Sequence, residues 1–446
     1  MKRKTYPQYI DSHAEWLGKI PQHWGTKRLK FVADIKTGNT PPKSDLENYC
    51  DDGLPWIKPD DLGSFLPIMD SKERLSDKGC EHARIIPEKS VLICCIGSVG
   101  KVGVAGCKVA TNQQINSLVF RSKLNPDYAL YLIAASEKEH QRLANGNVVQ
   151  IINSDTQGNI LLSIPPFDEQ RAIASFLDRE TDRIDTLVAK KERQIELLQE
   201  KRATLIGHAV TKGLNLNAKM KDSGIEWFGD IPEHWHVIRV KSLEGNRSSA
   251  VQTGPFGAQL HANDYMDEGV PLILIRNVGE MRINNTNIPM ISYEDAERLS
   301  IYRIKKGDIV FSRVGSIGRI APCTEREEGW LISGQMLRLR ILNPRLHDRF
   351  AAYAFGSSTL LTFVELHSVG STRESINTEI LRNMPVPIPT FDEQRAIAAF
   401  LDRETERIGA LICKVKDSIE KLREYRTALI SAAVTGKIDI RKEVDT

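Results

Sequence analysis

The sequence predicts a tandem pair of α/β (α+β) modules, separated by long antiparallel helices that form a coiled-coil-like spacer. Two observations support this fold class: long segments of the 446-residue chain occur twice, and an isoleucine recurs every eleven residues near the end of each half. The repeat implies an internal pseudo-two-fold relation between the halves. With 41% hydrophobic and 27% charged residues, the composition is that of a globular protein, at roughly 150 residues per domain.

The duplicated segments frame each half of the chain. Residues 12–24 and 223–235 open the halves with a shared Glu-Trp-x-Gly-x-Ile-Pro-x-His-Trp motif, and residues 167–184 and 391–408 close them with only two differences. Shorter matches between these anchors keep the same order: Thr37-Gly38 with Thr253-Gly254, Gly53-x-Pro55 with Gly269-x-Pro271, Gly97–Lys101 with Gly315–Arg319, and Gln114 with Gln335. Two modules that dock on identical partners but have different binding faces would diverge in this way.

Each closing segment is predicted to begin a long helix. Asp168 and Glu169 follow two prolines, and negative charge stabilises the amino end of a helix. The eleven-residue interval connects Ile173, Ile184, Ile195 and Ile206 in the first copy, and Ile397, Ile408, Ile419 and Ile430 in the second. This interval equals about 3.67 residues per turn and gives a nearly straight apolar stripe. Helices of about 40 residues, roughly 60 Å long, are expected to end at Gly213 and Gly436.

The predicted organisation has four segments: a first module (1–163), a first helix with a linker (164–222), a second module (223–387), and a second helix with a C-terminal tail (388–446). Within the modules, short apolar runs alternate with glycine and proline, which is typical of a mixed sheet. The alternation of apolar and basic residues over 337–341 predicts a half-buried strand.

The charge of the chain is nearly balanced, with 61 basic and 58 acidic residues. Lys and Arg can neutralise phosphates, while Arg, Asn and Gln can read base edges. Such residues beside glycine-rich turns are candidate DNA contacts. They are Lys36, Thr37, Asn39, Lys43, Asn112, Gln113 and Gln114 in the first module, and Gln252, Gln259, Arg276, Asn277, Arg313, Gln335 and Arg373 in the second.

The sequence gives no catalytic constellation and no metal site. Pro59-Asp60 with Asp70-Ser-Lys72 only loosely resembles a nuclease motif, and the seven cysteines contain no Cys-x-x-Cys pair. The longest apolar run, residues 91–96, is far shorter than the roughly 20 residues that span a bilayer, and the amino end lacks a signal peptide. We therefore expect a cytoplasmic, non-enzymatic protein.

In combination, the motifs resemble those of the specificity subunit of a type I restriction–modification system. They are the doubled Trp-Gly-Ile-Pro-His-Trp and Phe-Asp-Glu-Gln-Arg-Ala-Ile-Ala segments, the Thr253–Gly257 opening, the Gly-Ser-[Val/Ile]-Gly-[Lys/Arg] turns and the Ala-Val-Thr helix ends. The resemblance covers essentially the whole chain. It implies that the modules are target recognition domains, each reading one half of a bipartite double-stranded DNA target, and that the helix pair sets the gap between the halves.

The same resemblance implies protein partners. Two methyltransferase (modification) subunits would bind S-adenosylmethionine, restriction subunits would use ATP, and no cofactor would belong to this chain. Near-identity of the two helix starts fits two copies of one partner. The residues that would lie near those interfaces are Asp168, Glu169, Arg171, Asp392, Glu393 and Arg395. The alternative for these six residues is a structural role in starting the helices.

Two other functions are compatible with parts of the pattern. A protein-assembly adaptor whose tandem modules bind proteins, not DNA, fits the low net charge. An autonomous methyltransferase or nuclease would need motifs that the sequence lacks. If DNA is the ligand, near-neutrality predicts weak binding by the chain alone, with partner subunits completing the electrostatic attraction. The target bases and the gap length do not follow from the sequence.

Overall fold

A computed structural model describes residues 4–121, 124–243, 250–255, 259–261, 264–279, 281–313, 319–341, 343, 345–367 and 376–441. The chain divides into two compact units. The first unit contains residues 1–192 and 416–446, and the second contains residues 193–415. Each unit therefore combines one module with parts of both long helices.

The first unit contains two five-stranded sheets. Its strands are β1 (Tyr9–Asp11), β2 (Lys19–Pro21), β3 (Gly25–Arg28), β4 (Ala33–Thr37), β5 (Tyr49–Cys50), β6 (Leu54–Ile57), β7 (Pro67–Ile68), β8 (Arg74–Leu75), β9 (Ile85–Ile86), β10 (Val91–Cys94), β11 (Val102–Ala105), β12 (Val109–Thr111), β13 (Ile115–Phe120) and β14 (Leu161–Ile164). The sheet orders are β4-β13-β10-β11-β7 and β5-β8-β6-β12-β9, and smaller pairs join β1 to β2 and β3 to β14. Parallel β6 and β12 bring their carboxyl ends together, so the loops that follow them are neighbours.

Up to residue 192, the first unit has five α-helical segments in the part of the chain that the structure describes. They are α1 (Asp77–Glu81), α2 (Pro126–Ala135), α3 (Glu137–Leu143), α4 (Ser154–Gly158) and the first part of α5 (Phe167–Lys212). Tyr128 and Leu132 of α2 are fully buried in one core with Val91, Ile93 and Leu118. Burial of the α2 side chains against the strands fixes the sheet relative to the start of α5.

The second unit repeats this arrangement with fewer strands among its described residues. Its strands are β15 (Met220–Asp222), β16 (Asp230–Pro232), β17 (His236–Arg239), β18 (Val251–Thr253), β19 (Val270–Ile273), β20 (Met290–Ile291), β21 (Ile309–Ser312), β22 (Ile320–Pro322), β23 (Leu331–Ile332), β24 (Met336–Leu339) and β25 (Pro385–Ile388). Its helices are α6 (Tyr293–Arg298), α7 (Asp348–Gly356), α8 (Ser358–His367), α9 (Thr378–Asn383) and the first part of α10 (Phe391–Val434). The orders β18-β24-β21-β22 and β20-β19-β23 match β4-β13-β10-β11 and β8-β6-β12 of the first unit.

The half-buried strand predicted over residues 337–341 is more deeply buried than expected. All four residues of β24 are buried, and Arg338 is only 2% exposed. Its guanidinium donates to the carbonyl oxygens of Ile301 and Arg303, at 3.0 and 2.9 Å, and lies 3.9 Å from the Asp308 carboxylate. Both faces of the strand are buried because the Asp308 carboxylate, directly before the neighbouring strand β21, balances the arginine charge.

The long helices confirm the eleven-residue periodicity. α5 has 46 residues and α10 has 44, so each is about 65–70 Å long at 1.5 Å per residue. All four periodic isoleucines of α10 are buried, whereas Ile195 and Ile206 of α5 are half-buried. Gly213 and Gly436 follow the helix ends with φ of +76° and +70°. These left-handed conformations favour glycine, so the predicted helix stops are confirmed.

Within the first unit, the two helices run antiparallel. Arg426 of α10 pairs with Asp185 of α5 at 3.0 Å, and Arg423, one turn earlier, pairs with Glu192, two turns later, at 3.1 Å. The partner number on α5 rises as the number on α10 falls, which is the signature of an antiparallel pair.

Both helix ends dock on a β-hairpin in the same way. The Lys212 ammonium donates to the carbonyl oxygen of Phe228, beside the β15–β16 hairpin, at 3.0 Å. The Lys437 ammonium donates to the carbonyl oxygen of Leu17, beside the β1–β2 hairpin, at 3.1 Å. After α10, the Asp439 amide also donates to the Lys4 carbonyl oxygen at 2.8 Å. Within the first unit, the end of α10 is therefore held against the beginning of the described chain.

In the part of the chain that the structure describes, no helix combines the length and apolar character needed to cross a membrane.

Candidate nucleic-acid interface

Four loops of the first unit meet at one edge of its sheets, which we call the loop edge. They follow β4, β6, β10 and β12 and comprise residues 37–40, 58–61, 95–101 and 111–115. Backbone hydrogen bonds connect them: Asn112 N to Ile57 O at 3.1 Å, Gly38 N to Ile115 O at 2.9 Å, and Cys95 N to Gln114 O at 2.7 Å. Loops that follow several strand ends and share one edge are a common place for a binding site.

The second unit has the same loop edge with the same connections. The equivalent hydrogen bonds are Ser333 N to Ile273 O at 3.0 Å, Gly254 N to Met336 O at 3.1 Å, and Arg313 N to Gln335 O at 2.9 Å. Its described loops are residues 253–255, 274–277, 312–313 with Arg319, and 332–336. The predicted Gly315–Arg319 turn lies outside the described residues except for Arg319. The backbone hydrogen bonds of the two loop edges therefore match, whereas most of their side chains differ.

A Thr-Gly pair makes each loop edge tight. A Cβ atom at Gly38 would lie 2.3 Å from the carbonyl oxygens of Thr111 and Asn112, and one at Gly254 would lie 2.1 Å from the carbonyl oxygen of Ser333. Backbone atoms cannot give way as a flexible side chain can, so only glycine fits. The match of Thr37-Gly38 to Thr253-Gly254 found in the sequence therefore reflects close packing of two loops.

Several predicted residues of the first unit organise its loop edge. The Thr37 hydroxyl donates to Asn116 Oδ1 at 2.8 Å. Asn39 Oδ1 accepts from the Arg84 amide at 3.1 Å, and its Nδ2 donates to the carbonyl oxygen of His82. These bonds hold the segment after β4 in place.

The predicted Asn112–Gln114 segment contains both buried and exposed side chains. Asn112 is 6% exposed, and its Nδ2 donates to Gln114 Oε1 at 2.9 Å while its Oδ1 accepts from the Gln114 amide at 3.1 Å. Gln113 is exposed and accepts from the Thr40 hydroxyl. Lys36, on β4, and Lys43 are exposed as well. In the first unit, the exposed members of the predicted set are therefore Lys36, Lys43 and Gln113.

The loop edge of the second unit contains an open cleft of about 780 Å³. Three predicted residues, Arg276, Arg313 and Gln335, line it together with Arg319 and Tyr265. None of the described lining residues is acidic. The whole chain has a net charge of +3, so three arginines in one cleft make a local cationic surface that the total conceals.

The other predicted residues of the second unit have different surroundings. Asn277 is 1% exposed, with its Oδ1 accepting from the Leu274 amide at 3.2 Å and its Nδ2 donating to the Asn284 carbonyl oxygen at 3.1 Å. Gln252 is half-buried on β18, and the exposed Gln259 accepts from the Tyr302 hydroxyl at 3.0 Å. Arg373 lies outside the described residues.

The doubled His-Trp and Phe-Asp-Glu-Gln motifs contact each other. Glu169 is 7% exposed and accepts hydrogen bonds from the Tyr6 hydroxyl and from His23 Nε2, the latter at 2.9 Å. Glu393 accepts from His234 Nε2 at 2.9 Å and from Trp235 Nε1 at 3.4 Å. These two carboxylates, predicted near a partner interface, join the framework of their own units.

Hydrogen bonding also determines the ionisation of Glu393. Burial opposes ionisation of this carboxyl, but the hydrogen bonds from His234, Thr390 and Trp235 outweigh it and hold the pKa below its usual value. The charged form of Glu393 is therefore the one that fits this contact.

The other four predicted interface residues point outward from the helix starts. Asp168 and Arg171 are exposed in the first copy, while the side chains of Asp392 and Arg395 are 95% and 64% exposed in the second. Phe167 and Phe391, which precede them, are 48% and 43% exposed. Each helix start thus presents the same aromatic ring, carboxylate and guanidinium to solvent.

Known proteins share this arrangement of domains and helices. The sequence profile of the type I restriction modification DNA specificity domain matches residues 21–197 and 267–421, which is more than half of the chain. The chain belongs to this family. The two matched segments lie in the two halves, so it has two specificity domains in tandem.

Individual relatives agree with the family assignment. The type I restriction enzyme MjaVIII specificity subunit of Methanocaldococcus jannaschii is 23% identical over 437 residues, 95% of each chain. The type I restriction enzyme EcoBI specificity subunit of Escherichia coli is 21% identical over 439 residues, 97% of this chain and 90% of the relative. A solved structure described as showing complex assembly and conformational transition of the type I R-M system has a TM-score of 0.67 at 16% identity, covering 93% of this chain and 98% of that one. At this identity, the likeness shows a shared fold.

Sequence reasoning missed several residues of the specificity domains. Arg319 and Tyr265 line the second cleft, and Asp60 is exposed at the loop edge of the first domain. A signal for Arg319 existed, since it ends the repeated Gly-Ser-[Val/Ile]-Gly-[Lys/Arg] turn. Among the described residues, no group of three or more His, Cys, Asp or Glu side chains could hold a metal ion.

Proposed function

We propose that this specificity subunit reads a bipartite double-stranded DNA target, with each specificity domain contacting one half of it through its loop edge. The observation that carries the proposal is the pair of loop edges, which share their backbone hydrogen bonds but differ in side chains. A shared backbone scaffold with different polar side chains in its loops suits two domains that contact different base sequences. The cationic cleft with Arg276, Arg313 and Arg319 supplies the phosphate and base-edge donors that such a reader needs.

For direct base contacts we favour the exposed members of the predicted set. Asn277 and Asn112 are buried and hold backbone segments, so we assign them to loop architecture. The exposed members, which suit contacts to phosphates or bases, are Lys36, Lys43, Gln113, Gln259, Arg276 and Gln335.

A salt series tests DNA reading by the subunit. We expect binding to a target duplex to weaken steeply with salt because each phosphate contact releases counterions. The complex with modification subunits is expected to show a steeper slope and tighter binding than the chain alone. Filter binding at several salt concentrations measures both slopes. Absence of any salt dependence would favour the protein-assembly adaptor instead.

We also propose that the two long helices set the gap between the half-sites. Each is one uninterrupted helix, of 46 residues in α5 and 44 in α10, with a glycine after its end. Four extra residues in both helices would add about 6 Å, which corresponds to about two base pairs. Mapping of methylated targets for such a variant would refute the proposal if the gap stayed unchanged.

The exposed helix starts are proposed to dock two copies of the modification subunit, one on each helix. The same Phe, Asp and Arg side chains are exposed at both helix starts. Because they point to solvent, folding alone does not require them to be identical, and a common partner would. Methyl transfer with S-adenosylmethionine and ATP use are then assigned to partner subunits in the cytoplasm. Methyl transfer by the isolated chain would overturn this assignment.

Charge reversal at the helix starts is expected to weaken docking. Arg171→Glu should remove one modification subunit, and Arg171→Glu with Arg395→Glu should remove both, lowering each affinity at least about tenfold because a like charge replaces an attractive one. Native mass spectrometry of the purified complexes measures the stoichiometry. Arg193→Glu, the same change on an exposed α5 residue, is the control and should retain two subunits. Two bound subunits in the double variant would contradict the proposed surface.

A further inference from the structure

We propose that Asp60 and Arg276 are equivalent specificity-determining residues with opposite hydrogen-bonding preferences. Asp60 accepts a hydrogen bond from the exocyclic amino group of a cytosine or adenine in one half-site, and Arg276 donates to a guanine in the other. The inference rests on the proposed function and names residues that decide bases within it.

The two residues occupy the same place in a repeated turn. Asp60 is the middle residue of the 3-10 turn Pro59–Asp61, and Arg276 is the middle residue of the 3-10 turn Ile275–Asn277; one residue separates each turn from the preceding strand, β6 or β19. In both turns the side chain of the last residue accepts from the amide that precedes the turn: Asp61 from Lys58 at 2.8 Å, and Asn277 from Leu274 at 3.2 Å. This shared cap fixes the backbone, so the middle side chain is free to vary.

Each turn is anchored to its loop edge by a matching hydrogen bond. The Asn112 amide donates to the Ile57 carbonyl oxygen, and the Ser333 amide donates to the Ile273 carbonyl oxygen. Thus the turn lies beside the Asn112–Gln114 segment in one unit and beside Ser333–Gln335 in the other. Both middle residues are exposed. Position and direction of the backbone are therefore shared, while the charge at this position is reversed.

Arg276 has the surroundings of a guanine reader. It lines the cleft together with Arg313, Arg319 and Gln335. None of the described residues that line this cleft is acidic. The Arg276 guanidinium donates to the Asn287 carbonyl oxygen at 3.3 Å, and this contact uses one of its five N–H groups. Guanine presents two adjacent acceptors, O6 and N7, in the major groove, which match the parallel donors of a guanidinium.

Asp60 suits the opposite kind of base. Its carboxylate can only accept hydrogen bonds, and DNA phosphates repel it, so a contact with a donor group is needed to offset that cost. Amino groups of cytosine N4 and adenine N6 are the donors in the major groove. The Lys101 ammonium donates to the carbonyl oxygen of Pro59 at 2.7 Å, so a basic side chain holds the same turn.

Mapping of methylated targets tests the inference. Cells that produce the full chain with its modification subunit are expected to show one bipartite motif. Arg276→Ala should relax one guanine position in one half by about tenfold or more, and Asp60→Ala should relax one position in the other half. Whether that second position is cytosine or adenine identifies the amino donor. Asp60→Arg should change its preference to guanine, which a folding defect cannot imitate.

Matched controls separate this inference from the proposed function. Asp52→Ala and Arg239→Ala remove exposed charges in the same units, away from the turns, and should leave the motif intact. An unchanged motif in both Asp60→Ala and Arg276→Ala would overturn the inference and leave the proposed function standing. Relaxation of both half-sites by one substitution would also overturn it. Absence of any bipartite motif with the unaltered chain would instead refute the proposed function.

Discussion

Replacing Asp308 by alanine is expected to lower the free energy of unfolding of the second unit by about 3–5 kcal/mol. Asp308 is 2% exposed, and its carboxylate accepts from the Arg340 guanidinium at 2.7 and 2.9 Å and from the Lys305 amide at 2.8 Å. Arg338 lies 3.9 Å away and is equally buried. Loss of the carboxylate would leave the buried Arg338 guanidinium and the partly buried Arg340 guanidinium without their counter-charge. Burial already lowers the pKa of Arg338 to about 10.

The first unit supplies a matched control, since it has neutral residues at the three positions equivalent to Asp308, Arg338 and Arg340. By strand register, Ser117 stands where Arg338 stands, and Ser90 and Val119 are the neutral equivalents of Asp308 and Arg340. The triple variant Asp308→Ser, Arg338→Ser, Arg340→Val should therefore recover most of the stability lost by Asp308→Ala. Replacement of a whole buried charge cluster by neutral residues is often harmless, whereas removal of one member is not.

Hydrogen exchange measured by mass spectrometry localises the effect. Amides of β21 and β24 should exchange faster in Asp308→Ala, while those of β10 and β13 in the first unit remain protected and act as the internal reference. Unchanged protection of β21 and β24 would show that the carboxylate contributes little. A triple variant less stable than Asp308→Ala would contradict the expectation that removal of all three charges costs less than removal of the carboxylate alone.

The second large effect is expected from Gly254→Ala. The added methyl group would lie 2.1 Å from the Ser333 carbonyl oxygen and 2.6 Å from that of Ile332, so the two loops must separate. Overpacking of this kind costs about 1–3 kcal/mol, and here it falls on the proposed DNA-reading surface. We expect a lower melting temperature and at least tenfold weaker binding of target DNA.

Gly38→Ala should have the same effect on the first unit, because its Cβ would lie 2.3 Å from two carbonyl oxygens. Gly409→Ala is the control. This residue lies within α10, and among the described residues a methyl group added to it would meet no atom within 4 Å beyond the surrounding helix backbone. Alanine should therefore stabilise the helix by about 0.5–1 kcal/mol. Calorimetry and filter binding distinguish the three variants. Wild-type DNA affinity in Gly254→Ala would show that the loop edge is not the reading surface.

Local patterns in the sequence predicted the long helices and their ends correctly. The eleven-residue interval is set by helix geometry, and Gly213 and Gly436 end the helices because a left-handed residue is needed there. Comparison of the two halves predicted equivalent positions, such as Thr37-Gly38 and Thr253-Gly254, which the structure places in equivalent tight contacts.

Side-chain roles that depend on distant partners were harder to predict. Glu169 accepts from His23, which is 146 residues away in the sequence, so its helix-starting position alone could not show this contact. Arg338 reads as a surface residue in an alternating strand, yet the facing Asp308 makes its burial possible. Such pairs depend on strand register and packing, which a single sequence does not give. Asp60 and Arg276 differ by 216 positions, the same offset as Thr37 and Thr253 in the repeat, and the turn caps add that both lie at the same exposed place in a turn.

The contact between Lys4 and Asp439 has a consequence for the covalent order of the chain. The end of α10 meets the β1–β2 hairpin just as the end of α5 meets the β15–β16 hairpin, although a peptide linker joins only the latter pair directly. A short linker from residue 441 to residue 4 would replace that missing connection, and a cut between Gly213 and Met220 would open the chain at the equivalent place. Such a circular permutant would retain the described contacts within each unit. We therefore expect it to fold, whichever of the two connections is the one left open.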